Sequence, residues 1–486
     1  MSDLAAILNA AFRAPPSPRA GQSPPDSINK QQVHHEPPLA RTTRTTGTRQ
    51  RRLVMSDQEP LRHIPVRPNL RQLKVQAKDL LRAIHRGETE AIAEFAQAYP
   101  EAAKIEAHEV TLADAQLALA RSYGVASWPR VVQACRLIDA IWRDDLEAVR
   151  ELVTKHPKLI YENARATRSC NWGPPLSYAA NLGRNEIIRL LYEMGATDLE
   201  HAIDRATLQS KIDTARMLHE MLGSPQPPEG CLSGAAYTLS ASGTALMFEI
   251  GAKVRKDDGS SLAPVDVVLE TDSRNPTAKH QILEMYVRNG LVLPDTPTMA
   301  LHRGRIDLLE NHLRRNPGLF ERTFTHEEIY PPELGCHDEI QATQGTPLAG
   351  TTLLHLCADY DELEIARWLI AKGMDVNVRA AVDENGFGGY TALFGTVVSQ
   401  PNFWMNFPGK EQTAPFTKLL LDHGANPNIR ASLRKQLHPG YGPRYDTSKA
   451  YEYRDVTALS WGREFHAKVF VSEPAMKLIE EAGGVL

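Results

Sequence analysis

One stretch near the middle of the chain is rich in side chains that commonly bind metal ions. Imidazole, thiolate and carboxylate groups are the usual protein ligands of zinc and other divalent metals. The spacing matches no zinc pattern, because a zincin helix needs a second histidine one helical turn after the first. We therefore predict no metal and no cofactor, with an enzyme or metal protein that uses residues 318–349 as the alternative. The residues concerned are His326, Glu327, Glu328, Cys336, His337, Asp338 and Glu339.

Motifs that place a nucleophile or hold a phosphate group are not found in the sequence. There is no G-x-S-x-G, no Walker A loop and no G-x-G-x-x-G. The short glycine- and proline-containing stretches LPDTPTM and GFGGY have the wrong spacing for phosphate loops. No part of the sequence predicts a nucleophile, a base and an orienting group together. The sequence therefore favours a protein that is not an enzyme.

Two long segments near the C-terminus concentrate aromatic and arginine side chains. They are residues 401–413 and 431–455. Tyr, Trp and Arg dominate binding energy at protein interfaces, because they are large and stiff and can form hydrogen bonds. The alternative is that these loops fold back and pack their aromatic rings on the rest of the molecule. The predicted partner-binding residues are Phe403, Trp404, Phe407, Tyr441, Arg444, Tyr445 and Tyr453.

The elements that must position these loops can be read most clearly at residues 350–379. A turn at residues 350–352 opens a short predicted helix from Leu353 to Ala358, and an acidic turn follows it. A second, amphipathic helix is predicted from about Leu363 to Ala371, because its apolar residues recur at helical spacing. Gly373 then ends this helix, since only glycine adopts a positive φ there without strain.

This unit closely resembles an ankyrin repeat. The TPLH–A motif of that family corresponds to Thr352, Leu353, Leu354, His355 and Ala358, and its G-A-D-V-N ending corresponds to residues 373–377. Similar endings occur at residues 193–198 and 423–430. The resemblance implies a structural, hydrogen-bonding role for His355 and a buried, unreactive thiol for Cys357. Because one such unit cannot bury its apolar face alone, neighbouring units must stack.

The resemblance implies an all-α fold, an ankyrin-repeat solenoid of stacked helix-turn-helix units with long inserted finger loops. We divide the chain into a disordered Pro- and Arg-rich tail (1–66), degenerate helix pairs similar to those ahead of bacterial ankyrin arrays (67–136) and divergent repeats (137–317). An inserted loop (318–349) and C-terminal repeats with long finger loops (350–486) follow. Helix-ending glycines mark the repeat rhythm, at positions 195, 223, 251, 290, 373, 424 and 483.

The positions of the inserts supply the clearest functional prediction. Inserts at 318–349, 380–388 and 431–455 fall between repeats, where proteins of this family carry their finger loops. Inserts at matching positions map to one side of a solenoid, and that side is often the binding side. The insert at 401–413 instead separates the two helices of one unit, so we do not assign its tip to the same side.

Composition excludes several classes of protein. The formal net charge of -4 supplies no general attraction for nucleic acid or an anionic membrane. No apolar run approaches the roughly 18 residues that a membrane span requires. Five scattered cysteines indicate a reducing compartment, so we predict a cytoplasmic protein. Met55 opens MSDQEP, which repeats the MSD at the start of the chain, so Met55 is a second candidate translation start.

The predicted function is therefore a scaffold that binds an unidentified protein partner through a concave face and the C-terminal finger loops. A nucleic-acid binder is a further alternative. It would use the basic run from Arg41 to Arg52 and the basic residues between Arg434 and Arg454. Such binding would depend steeply on salt.

Overall fold

The computed structural model describes residue 62 and residues 64–99, 102–167, 171–271, 273–336, 346–398, 413–436 and 449–486. This part of the chain is mostly helical, and none of its helices has the length and hydropathy needed to span a bilayer. The first half contains α1 (Leu70–His85), α2 (Thr89–Ala98), α3 (Leu112–Ser122), α4 (Trp128–Arg143), α5 (Leu146–Lys155), α6 (Pro175–Leu182), α7 (Asn185–Glu193), α8 (Leu199–Leu208), α9 (Ile212–Met221), α10 (Ser233–Tyr237) and α11 (Ala241–Glu249).

The second half continues the helical pattern and adds one small sheet. Its elements are α12 (Val265–Glu270), α13 (Pro276–Arg288), α14 (Pro297–His302), α15 (Ile306–Arg315), α16 (His326–Ile329), α17 (Leu353–Tyr360), α18 (Leu363–Ala371), α19 (Ala392–Val397), α20 (Pro415–Asp422), β1 (Ala431–Lys435), β2 (Tyr451–Val456), α21 (Ala458–Glu464) and α22 (Glu473–Glu481).

Most helices form antiparallel pairs joined by short turns, and equivalent helices of successive pairs pack on each other. The first helices contact in the order α4, α6, α8, α10 and α12, and again in the order α14, α17, α19 and α21. One continuous core cluster includes residues from Val66 to Ile479. Most helices thus have their apolar stripes covered by a neighbouring pair, which no single pair could achieve alone.

The predicted repeat at residues 350–379 is helical as expected. Helix α18 spans Leu363–Ala371, and α17 extends two residues beyond the predicted Ala358, to Tyr360. Gly373 has φ +100°, the left-handed conformation expected just after a helix end. His355 is buried beside the helix start, where its Nδ1 lies 2.9 Å from Thr352 Oγ1 and its Nε2 lies 2.9 Å from the Tyr390 carbonyl oxygen.

The N-terminal boundaries differ from the predicted ones. Ile64 and Val66 fall within the predicted disordered tail, yet both side chains are buried, and the Ile64 carbonyl accepts a hydrogen bond from Arg165 Nη1 at 3.0 Å. Helix α4 runs from Trp128 to Arg143 without a break, across the predicted boundary at residues 136 and 137. The helix therefore packs against both the degenerate pairs and the divergent repeats, because its buried side chains belong to the core clusters of both groups. Residues 1–61 lie outside the described residues.

The described residues 318–336 of the predicted inserted loop at 318–349 contain three short pieces of regular structure. Residues 317–320 and 332–334 form 3-10 turns, and α16 lies between them. Thr325 caps α16, since its Oγ1 accepts the Glu328 N–H at 3.3 Å and the Glu328 side chain accepts the Thr325 N–H at 3.0 Å. Ile329 and Tyr330 are buried against the helices. The segment packs as part of the core because its apolar residues are grouped around this capped turn.

Candidate functional site

Connecting segments of the C-terminal units are joined to each other by backbone hydrogen bonds. The Phe324 N–H donates to the Thr351 carbonyl at 2.8 Å, and the Gly350 N–H donates back to the Phe324 carbonyl at 2.8 Å. The Ala381 N–H then donates to the Gly350 carbonyl at 2.7 Å. We call this set of segments, residues 322–324, 348–351, 380–390, 431–436 and 449–456, the connector row.

The next connector closes into a small hairpin and continues the row. The Ala380 N–H donates to the Tyr390 carbonyl at 2.8 Å, and the Gly388 N–H donates to the Ser432 carbonyl at 2.7 Å. Gly388 has φ +127°, and a Cβ at this position would lie 1.9 Å from the Ala381 carbonyl oxygen. The junction between the two connectors therefore requires glycine at 388.

Strands β1 and β2 form the last member of the row. They pair antiparallel, with Leu433 opposite Tyr453 and Lys435 opposite Tyr451. The register shifts between Ala431 and Leu433, as at a β-bulge. Residues 437–448 connect β1 to β2 in the sequence. They lie outside the described residues.

Two arginines hold a phenylalanine at the centre of this row. The guanidinium carbons of Arg434 and Arg454 lie 4.1 and 4.0 Å from the ring centre of Phe387, which is buried. Glu452 lies 3.3 Å from both guanidinium groups, and Arg454 Nη1 donates to the Asn385 carbonyl at 3.2 Å. Both cations are thus paired with Glu452 and lie against Phe387, while the Arg434 and Arg454 side chains remain 26% and 54% exposed.

Tyr453, one of the predicted partner-binding residues, is packed inside the protein. Only 6% of its surface is exposed. Its ring stands edge-on to Trp461 with centres 4.7 Å apart, and its hydroxyl oxygen lies 2.6 Å from His466 Nδ1. The prediction of a contact role for Tyr453 is therefore corrected, because the side chain points from β2 into the core and the self-packing alternative applies to it.

The same packing changes the chemistry of His466. Its ring stacks on Tyr451 with centres 3.8 Å apart. Burial, together with the nearby charges of Lys435 and Lys449, lowers the pKa of His466 to about 4. The imidazole is therefore neutral at pH 7, and it has a structural role between β2 and α21.

The other six predicted partner-binding residues lie outside the described residues: Phe403, Trp404, Phe407, Tyr441, Arg444 and Tyr445. Their attachment points are described. Residues 437–448 follow β1 in the sequence, at the end of the connector row. Residues 399–412 follow Val398, which bridges to Val471.

The predicted metal-ligand types in residues 326–336 are not gathered at one point. Across the described ranges no group of three or more His, Cys, Asp or Glu side chains has the geometry of a metal site. The Glu328 carboxylate is engaged by Arg322 and by the cap of α16, and Cys336 is buried. His337, Asp338 and Glu339 lie outside the described residues.

Sequence reasoning missed a buried cluster of charged residues. Arg274 Nη2 lies 2.8 Å from Asp359 Oδ2, and Lys279 Nζ lies 2.8 Å from Glu362 Oε1. Both cations also face the ring of Tyr360, at 4.7 and 4.2 Å from its centre. The cluster ties the start of α13 to the end of α17. No local pattern could reveal it, because the partners are more than eighty residues apart in sequence.

Comparison with known proteins identifies the repeat family of the unit at residues 350–379. Residues 349–381 match the ankyrin repeat family model. The chain therefore contains an ankyrin repeat at these residues, and repeats of this family generally mediate protein–protein interaction. No curated protein matches the chain.

Proposed function

We propose that this chain is a non-catalytic scaffold that binds a protein partner through the connector row and the segment 437–448 that extends from it. In this proposal the helix pairs form an ankyrin-type solenoid, and the connectors are its finger loops. The scattered cysteines support a cytoplasmic location, and the resemblance of the N-terminal helix pairs to bacterial arrays supports a bacterial source.

The observation that carries the proposal is the hydrogen-bonded continuity of the row from Phe324 to β2. Connectors that support each other lose little conformational entropy when a partner binds, so more of the contact energy appears as affinity. Phe387, Arg434 and Arg454 brace the base of segment 437–448. That segment carries Tyr441, Arg444 and Tyr445, which are side-chain types that dominate interface energy.

The test compares variants in affinity capture from a lysate of the source organism, with bound proteins identified by mass spectrometry. In the first variant, residues 439–447 are replaced by a short Gly-containing turn that leaves both strands intact. In the second, Phe403, Trp404 and Phe407 are changed to alanine. The control is Tyr161→Ala, which removes an exposed aromatic ring from the N-terminal half. Circular dichroism checks that all of them remain helical.

The proposal predicts a protein that the wild type and Tyr161→Ala capture and the first variant loses. With that protein purified, Arg444→Ala or Tyr445→Ala should weaken binding by about 10-fold or more, as expected of interface hot spots. Equal capture by all four proteins would remove the connector row from the proposal. Absence of any specific capture would refute the scaffold itself.

A small-molecule site at the 318–349 segment is the second candidate function. A cleft of about 330 Å³ lies between α14, α15 and this segment, with Asp295, His312, Arg315, Arg322, Phe324 and Glu328 in its lining. His312 Nε2 lies 3.0 Å from Asp295 Oδ1, so the cleft holds an acid–base pair beside two arginines. Metal analysis and a thermal-shift ligand screen, each repeated on Arg315→Ala, would test it. A compound that stabilises the wild type but not this variant would support it.

A further inference from the structure

An apolar cleft opens at the N-terminal end of the helix array. It is formed by the end of α1, the outer side of α2, Tyr99 and residues 102–110, and its volume is about 360 Å³. Ile92 projects from α2 into this space and remains 38% exposed, which is high for a large aliphatic side chain next to a core. Phe95 forms its floor and stacks on Tyr99 with ring centres 4.8 Å apart. The lining is almost entirely apolar: Ile84, Ile92, Phe95, Tyr99, Ile105 and Val110, with alanines between them.

The position of the cleft explains why it is open. The α1–α2 pair is the first helix pair among the described residues, so no preceding pair within that part of the chain covers its outer side. In a stacked array each pair buries its apolar face on its neighbours, and a terminal pair needs a cap. The small core cluster beneath the cleft, around Leu80, Ile84 and Phe95, is separate from the main core. The pair thus presents apolar surface without a neighbour to cover it.

The chain contains a segment with the matching chemistry. In the first thirteen residues the large apolar side chains are Leu4, Ile7, Leu8 and Phe12, with Ala11 beside them. These positions recur at the spacing i, i+3, i+4, i+7 and i+8, which places them on one face of a helix. We propose that residues 4–12 bind as an amphipathic helix in the cleft between α1, α2 and residues 102–110, and so cap the array.

The stretch of chain between residues 4–12 and the cleft is long enough for this contact. Forty-nine residues separate Phe12 from Arg62, where the described chain begins. A linker of that length with random-coil dimensions would span about 40 Å on average, which is enough to reach the cleft. Tethering also holds the segment at an effective concentration of up to about 1 mM. A modest intrinsic affinity is therefore enough to keep the cleft occupied.

Charge also favours this pairing. Residues 84–110 contain six glutamates but only one arginine and one lysine. The tail from residue 13 to residue 52 contains eight basic side chains and two acidic ones, and Arg13 follows Phe12 directly. Residues 4–12 are themselves uncharged, but the basic residues that follow them attract the N-terminal part of the chain to the acidic surface around the cleft at low salt. A foreign partner would have to displace a tethered competitor with complementary charge.

The test is hydrogen exchange on the full chain. Leu8→Asp places a charge on the apolar face of the segment and changes no described residue. We expect the amides of α2 and of residues 102–110 to exchange at least 10-fold faster in Leu8→Asp than in the wild type. An excess of a synthetic peptide of residues 1–16 should restore the slow exchange. Unchanged exchange in Leu8→Asp would overturn the proposal.

Two variants of the cleft side complete the design. Ile92→Asp, at an exposed position of α2, should prevent the peptide of residues 1–16 from slowing amide exchange. Val75→Asp should leave that effect of the peptide unchanged. Val75 is a matched control because it is a β-branched residue at an exposed helix position, on α1 and outside the cleft. Restored protection in Ile92→Asp would place the peptide elsewhere and refute the site. Protection of the wild type that grows with protein concentration would also refute it, because a second copy would then supply the segment.

Discussion

Replacing Glu362 with glutamine will leave a lysine ammonium without its counter-charge inside the protein. Glu362 Oε1 lies 2.8 Å from Lys279 Nζ and 2.8 Å from His280 Nε2, and the Lys279 and Glu362 side chains are each 2% exposed. At this separation and an effective dielectric constant of about 20, the attraction is about 6 kcal/mol before desolvation is subtracted. Removing one partner of a buried pair costs about 3–5 kcal/mol. We expect Glu362→Gln to lower the free energy of unfolding by about that amount.

The chain supplies a matched control for this prediction. Glu310 and Lys372 form an ion pair with the same distance of 2.8 Å, but their side chains are 46% and 42% exposed. Water and salt screen an exposed pair, so Glu310→Gln should change stability little. A second comparison removes both buried charges. The double variant Lys279→Met and Glu362→Leu should be far more stable than Glu362→Gln, because no charge is left unpaired.

The effect of pH gives an independent check. Burial by itself would raise the pKa of Glu362, but Lys279 and His280 outweigh burial and hold this pKa below its ordinary value. The unfolded chain therefore takes up the proton first, below about pH 4.3. The stabilisation is present above that pH and is lost as pH falls through the folded-state pKa. Wild type and Glu362→Gln should thus converge in stability in acid.

Urea unfolding followed by circular dichroism at 222 nm measures all these variants. The reasoning would be refuted if Glu362→Gln lowered stability by less than about 1 kcal/mol, a loss typical of exposed pairs. It would also be refuted if Glu310→Gln matched Glu362→Gln. The first outcome would show that Lys279 gives up its proton or reaches water once its partner is neutral. The second would show that burial does not set the cost of losing the counter-charge.

Three further predictions concern single residues. Gly388→Ala should destabilise the C-terminal units by more than about 1 kcal/mol, because the added Cβ would meet the Ala381 carbonyl oxygen. The loss should exceed that of Gly373→Ala, whose added Cβ would have open space, and urea unfolding midpoints would measure both. Burial lowers the pKa of His355 to about 4, so the unfolded chain binds a proton before the folded chain does as pH falls. Stability should therefore fall between about pH 6.5 and pH 4, and His355→Gln should flatten that dependence in the same assay. Burial raises the pKa of Cys357 well above its ordinary value, so a thiol reagent should leave it unlabelled until the protein unfolds. Peptide mass mapping at rising urea would contradict this if Cys357 were labelled before the unfolding transition.

Local sequence was sufficient for the repeat at residues 350–379. The spacing of Leu363, Ile365, Ala366 and Leu369 predicts an amphipathic helix, and α18 has the predicted bounds. Gly373 marks its end because glycine adopts the positive φ needed there at no steric cost. These features depend on residues within one turn of each other, so a single sequence contains the information. The match of residues 349–381 to the ankyrin repeat family confirms this part of the prediction.

Predictions that required knowledge of distant neighbours were less successful. Tyr453 carries the residue type of an interface hot spot, but β2 turns it toward Trp461 and His466. Arg434 and Arg454 looked available for a ligand, yet both lie against Phe387, which comes from a different connector. Side-chain type limits what a residue can do. Its exposure is decided by the element that packs on it.

The sequence by itself determined the helical repeat at residues 350–379 and the positions of its turns, because helix periodicity and glycine stops act over a few residues. Only the tertiary structure decided which connectors join into a row, which aromatic rings are buried and where the charges of Arg274 and Lys279 find Asp359 and Glu362. Those outcomes depend on contacts between residues that are distant in the chain. Stacking of the units brings them together, and no local pattern records the pairing.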